Sequence, residues 1–140
     1  MNLQGLALLK NNNNMKSQEE IIQFKNTQTK IKGLYNEIGV LSKKNPNDAV
    51  NKFKLNFINQ SLKEANELLG SKYKPYANFD VFKEDEIPTT SDVVMILGLY
   101  MNALESLKSA NIEIRESQSE WILGHQPYWI IDGKVSDIEA

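Results

Sequence analysis

A single histidine, His125, and no cysteine at all set narrow limits on the chemistry open to this 140-residue chain. Imidazole is the side chain whose ordinary pKa lies nearest neutrality, so His125 is the natural candidate for a general base, with Asp132 or Asp137 to orient it. Its setting, Gly124-His125-Gln126-Pro127, reads as a turn. No nucleophile–base–orienter spacing accompanies it. A structural or simply exposed histidine is the heavier reading, and no catalytic residue is assigned.

The donor inventory disfavours metals as well. One imidazole and no thiolate leave too few nitrogen and sulfur ligands for zinc, copper or iron. Asp80, Glu84, Asp85, Glu86 and Asp92 offer oxygen to a hard cation. They lack the alternating ligands, the glycine and the terminal glutamate of an EF-hand loop, and read instead as an exposed acidic loop before a helix N-terminus. The seven glycines form neither a Gly-x-Gly-x-x-Gly run nor a Gly-Lys-Ser/Thr loop for phosphates. No pair of carboxylates is singled out by surroundings that would split their pKa values. The chain therefore leans away from being an enzyme, and no cofactor or metal is expected.

Aromatic residues form the most suggestive constellation. Tyr73, Tyr76, Phe79 and Phe82 fall in one stretch and Trp121, Tyr128 and Trp129 in another, seven of the twelve aromatic residues. Such rings line pockets and stack on planar ligands. They also seal the ends of helical cores, because each removes a large apolar area from water. Sealing is the heavier reading. Tyr76, Phe79, Phe82, Trp121, His125, Tyr128 and Trp129 stand as the candidate set for binding a ligand or partner.

Charge is unevenly distributed. Residues 1–76 carry twelve lysines against six carboxylates; residues 77–140 carry three lysines and one arginine against twelve carboxylates. The plain explanation is a basic helical pair beside an acidic half. Sharper ones are self-association between unlike halves, or a polyanion face built on Lys25, Lys32, Lys43, Lys44, Lys52 and Lys54. Fifteen lysines to one arginine argue against bidentate recognition of phosphate or guanine. No helix-turn-helix, zinc-finger or RNA-binding signature accompanies them, so nucleic acid is not an expected partner.

These residues must be positioned by ordinary globular elements, since 41% of the chain is hydrophobic and 24% charged. Residues 1–17 read as a weakly structured lead-in and 18–140 as one helical domain. Phe24, Ile31 and Ile38 recur every seven residues, with Thr27, Leu34 and Leu41 three further on, which predicts a helix over 18–44. Asn45-Pro46 both stops it and starts a second helix running to Leu69, closed by Gly70, with a seam of Leu55, Ile58, Leu62, Ala65 and Leu69. So short a connection implies an antiparallel hairpin. Residues 71–88 read as a long irregular connection. Thr89 and Asp92 spell a capping box for a third helix, apolar nearly all round and therefore buried, ending near Asn111. Another capping pattern, Ser117 to Glu120, suggests a short helix over Trp121-Ile122-Leu123. Asp132-Gly133 then predicts a tight β-hairpin.

The expected fold is mainly α: an antiparallel long-helix hairpin, a buried third helix and a small C-terminal β-hairpin. The longest uncharged apolar stretch, Val93 to Met101, is about half a bilayer crossing. Leu6 to Leu9 have no basic residue before them and no cleavage site after, so a cytoplasmic protein without membrane contact is expected. The functional expectation is a non-enzymatic interaction or regulatory module acting through its helical seams and complementary charged halves, by self-association or with a dedicated protein partner. The alternative is a small-molecule or nucleotide binder using the aromatic loop 73–82 and the tail 121–129.

Overall fold

The computed structural model describes residues 14–117, 120, 121 and 123–140. The chain is mainly helical, with three long helices followed by a three-stranded antiparallel sheet. Helix α1 spans Gln18–Lys44. Ser17 caps it by accepting from the Glu20 N–H, and Glu19, Glu20 at one end and Lys43, Lys44 at the other match the helix dipole. Ile21, Phe24, Thr27, Ile31 and Ile38 are buried, and Leu34 and Leu41 pack against the same core. The heptad-like seam of α1 thus faces the interior of its own chain.

The second helix begins later than the sequence suggests. Helix α2 spans Lys52–Tyr73, capped by the Asn51 side chain, and the initiation signal at Asn45-Pro46 is overridden. Residues 46–50 instead pair through their backbone with the start of the third helix. The Val50 N–H donates to the Pro88 carbonyl at 3.0 Å, the Thr90 N–H to Asp48 at 2.9 Å and the Ser91 N–H to Pro46 at 3.1 Å. These bonds satisfy groups that helix α2 would otherwise have claimed. At its far end Gly70, with φ 61° and ψ −172°, breaks the helix as expected, but one further turn follows through Tyr73. Only glycine takes that conformation without steric cost.

Ion pairs give the relative directions. Lys30 meets Glu64 at 3.1 Å and Lys54 meets Glu37 at 3.6 Å, so positions rising along α1 face positions falling along α2. Helix α3, Thr90–Ser109, carries the expected Thr89–Asp92 capping box. It also runs against α1: the Gln28 Nε2 donates to Glu105 at 3.3 Å, and Tyr35 lies over Gly98. Its buried side chains, including Val93, Ile96, Leu97, Tyr100, Leu104 and Leu107, occupy one broad face. Burial is not all round, because Met95 is exposed.

Residues 74–89 climb back along α2. Asn66 Nδ2 donates to the Asp80 carbonyl at 2.8 Å. Asn59 grips Phe82 twice, donating to its carbonyl and accepting from its N–H, both at 2.9 Å. The climb ends at Ile87, held at φ 49°, a conformation that β-branched residues avoid; the neighbouring pairing of Val50 with Pro88 fixes it there.

Phe79 and Phe82 stack edge-on to each other, and Phe79 meets Tyr100 in the same manner. The Tyr100 hydroxyl donates to Asn66 Oδ1 at 2.5 Å. Burial pushes its pKa up to about 12, with the Asp80 carboxylate adding to the rise. The unfolded phenol ionises near its ordinary value of 10.0, so stability held below that pH declines as pH rises toward the folded value. Urea titrations across this range should show Tyr100→Phe with a shallower alkaline loss than the parent. Equal slopes would remove Tyr100 as the cause.

The sheet comprises β1 Ile112–Glu116, β2 His125–Ile131 and β3 Lys134–Glu139, in that order. The β2–β3 turn has positive φ at both Asp132 and Gly133, as a type I′ turn requires. Strand β1 corrects the expectation of a two-stranded hairpin; it pairs Ile112 with Trp129 and Glu116 with His125. The short helix expected over 117–123 falls partly on 118, 119 and 122, outside the described residues. Ser117 and Gly124 close the β1–β2 connection through a 2.7 Å backbone bond, and Glu120 and Trp121 lie in a turn.

The sheet docks through its middle strand. Trp129 is fully buried and meets Phe24 edge-on, ring centroids 5.3 Å apart. A strap at Met15 completes the seal. Its N–H donates to Asn111 Oδ1, its carbonyl accepts from the Asp132 N–H, and its side chain is buried. Met15 is thereby tied to the core and Ser17 caps α1, while residues 1–13 lie outside the described residues. No helix among the described residues is long and apolar enough to cross a membrane.

Candidate functional site

The aromatic set divides among separate places. Tyr128 and Trp129 are core residues. Phe79 and Phe82 roof α3, partly buried beside Tyr100. Tyr76 is exposed, and Trp121 is 92% exposed on the β1–β2 connection. His125 is not in a turn: it opens β2 opposite Glu116, with its side chain exposed. Sealing accounts for the buried members through plain area burial.

Three of the five acidic residues likewise have structural employment. Asp80 pairs with Lys74, Glu84 with Lys52 at 3.2 Å, and Asp92 completes the capping box. Among the described residues no group of three or more His, Asp or Glu side chains is placed to hold a metal ion.

What packing leaves open is the groove between α1 and α3, on the side of α1 turned away from α2. Three adjoining hollows of about 460, 380 and 370 Å³ run along it, sharing Tyr35, Val94, Met101 and Asn102 as common walls. Helix α1 contributes Gln28, Lys32, Tyr35, Gly39 and Lys43; α3 contributes Val94, Gly98, Met101, Glu105 and Lys108. Each series advances by three or four residues, so each is one helical stripe. Between residues 28 and 43 the trough extends roughly 22 Å at 1.5 Å per residue.

Its floor is apolar. Tyr35, Val94, Leu99 and Met101 are partly buried hydrophobic residues resting on the core, and Val40 and Met95 are exposed beside them. Gly98 leaves the floor open: a Cβ there would sit 3.4 Å from Cε2 of Tyr35, a close contact that alanine would tolerate. That spacing is tight, so a larger side chain would lift the ring and fill the trough. Gly39 has open space where its side chain would be.

The rim is basic. Lys32, Lys43 and Lys108 line it, with Glu105 as the one lining carboxylate. Lys30, on the flank of α1 that faces α2, is neutralised by Glu64. Among the described residues, Lys32, Lys43 and Lys108 form no ion pair.

Lys32 and Lys43 belong to the polyanion face considered from the sequence, but none of the groove residues belongs to the aromatic set read as a ligand or partner site. Their signal was present as the 4-3-4-3 spacing of Val94, Gly98, Met101, Glu105 and Lys108, a second stripe beside the buried one on α3. Compared with known protein families, curated proteins and solved structures, the chain finds no match in any of the three.

Proposed function

We propose that this protein is a non-enzymatic interaction module whose α1–α3 groove receives a helix from a protein partner. The observation that carries this reading is the groove itself, a trough about four helical turns long, apolar in its middle around Tyr35, Val94 and Met101 and polar toward Gln28 and Lys108, bounded by two helices and open to solvent. Amphipathic helices bind such troughs through anchors at i, i+3, i+4 and i+7. A helix lying there would extend the three-helix arrangement into a four-helix one.

The seam residues of α1 and α2 are buried in the chain's own core, which leaves the groove as the docking surface of this reading. The alternative, a small-molecule site built from the aromatic loop and tail, is weakened because Tyr128 and Trp129 are buried packing residues.

Absence of cysteine makes a direct test simple. An Asn102→Cys variant carries one thiol in the groove, to which an environment-sensitive dye is attached. A three-heptad helical peptide with leucine at a and d and glutamine at e and g should change the dye's emission saturably. Gly98→Phe, with helicity verified by circular dichroism, should abolish the change. No response, or an undiminished response in Gly98→Phe, would defeat the groove reading.

A further inference from the structure

Resting on that reading, we infer that the helix received by the α1–α3 groove is acidic along the flank of its apolar face that meets α1, and that it belongs to a different protein. The argument is one of charge. The flank of α1 facing α2 is neutralised: Lys30 is held by Glu64, and Glu37 by Lys54. The flank facing the groove is not. Lys32 and Lys43 edge one side and Lys108 the other, and Lys25 continues the α1 stripe seven residues before Lys32. Among the described residues no carboxylate pairs with any of these four. The lining carboxylate, Glu105, accepts from Gln28.

Unpaired like charges beside an apolar trough repel one another and select an occupant of opposite sign. Two candidate occupants fail this criterion. A second copy docking groove to groove would bring the same lysines against their own images. The chain's own residues 1–13 contain Lys10 and no carboxylate, so they offer leucines for the floor but nothing for the rim. A helix with aspartate or glutamate beside a leucine- or methionine-rich stripe, on the side that meets α1, satisfies floor and rim together. Its affinity should weaken with salt, because Lys32 and Lys43 are exposed and screened, with Lys108 half-buried.

The test uses the full chain and three peptides of one design, leucine at a and d, differing only at e and g: glutamate, glutamine or lysine. Fluorescence anisotropy at low salt should rank glutamate over lysine by at least about tenfold in affinity, a difference that shrinks as salt rises. Reversing the rim with Lys32→Glu, Lys43→Glu and Lys108→Glu together should invert the order, and Gly98→Phe should remove all binding. Equal affinity for the glutamate and lysine peptides, with both lost in Gly98→Phe, would refute the acidic partner while leaving the groove as a docking site. Failure of all three peptides would refute the groove itself. Sedimentation showing a dimer that Gly98→Phe disperses would assign the trough to a second copy instead.

Discussion

Trp129→Ala should destabilise the protein by about 3–5 kcal/mol, the range for removing a large buried aromatic side chain. Trp129 is fully buried and joins the sheet to α1 through its edge-on contact with Phe24. Truncation removes the transfer free energy of the indole and leaves a void between sheet and helix that the surrounding elements can close only in part. Set against total stabilities of about 5–15 kcal/mol for single domains, such a loss leaves little folded protein to spare. Trp121→Ala provides the contrast: at 92% exposure, it should fall within about 0.5 kcal/mol of the parent. Urea denaturation followed by circular dichroism measures both. If Trp129→Ala unfolded at the parent's midpoint, the proposed docking of sheet on helix would be wrong. The same pair also separates a packing role from a ligand role, because ring loss at a binding surface leaves the unfolding midpoint nearly unchanged.

The second large effect concerns Asn111, where three parts of the chain are tied together. Its Oδ1 accepts from the Met15 N–H at 3.1 Å, its Nδ2 donates to the Leu107 carbonyl at 2.9 Å, and its own carbonyl accepts from the Ile130 N–H at 2.7 Å. Asn111 is buried. Asn111→Ala would strand the buried Met15 N–H without an acceptor, at a cost of about 1–3 kcal/mol. The loss should be local in its first expression: amide exchange at Met15, Ile130 and Asp132 should accelerate before the centres of α1 and α3 respond. Uniform acceleration throughout, or no change in stability, would contradict a side-chain clasp at this point.

Much of the architecture could be read from residue spacing, for identifiable reasons. The α1 seam, the Thr89–Asp92 box and the Asp132-Gly133 turn are local patterns whose physical cause lies within a few residues. The start of α2 was not readable in this way. Asn45-Pro46 carries a sound initiation signal, but the backbone of residues 46–50 is claimed by residues 88–91, some forty positions away. Strand β1 was missed although Ile112-Glu113-Ile114 alternates, because a five-residue strand has little periodicity of its own and is specified by its partner β2. The aromatic set divides between core and surface for a related reason. Ring chemistry alone does not distinguish a side chain facing a ligand from one facing Phe24. The groove stripe was written at regular spacing along α3, yet whether Val94 and Met101 were covered or open depended on how α1 is rotated against it.

The strap at Met15 also bears on the order in which the structure assembles. It connects to Asn111 at a sequence separation of 96, and closing so long a loop is entropically unrewarded until α1 and α3 already lie together. The helical pairings, of shorter span, can form first, with the strap and sheet engaging afterwards. Interactions made after the rate-limiting barrier govern escape from the native state more than arrival at it. Weakening the clasp at Asn111 should therefore hasten unfolding while barely slowing refolding, which gives that end of the molecule control over how long it stays folded.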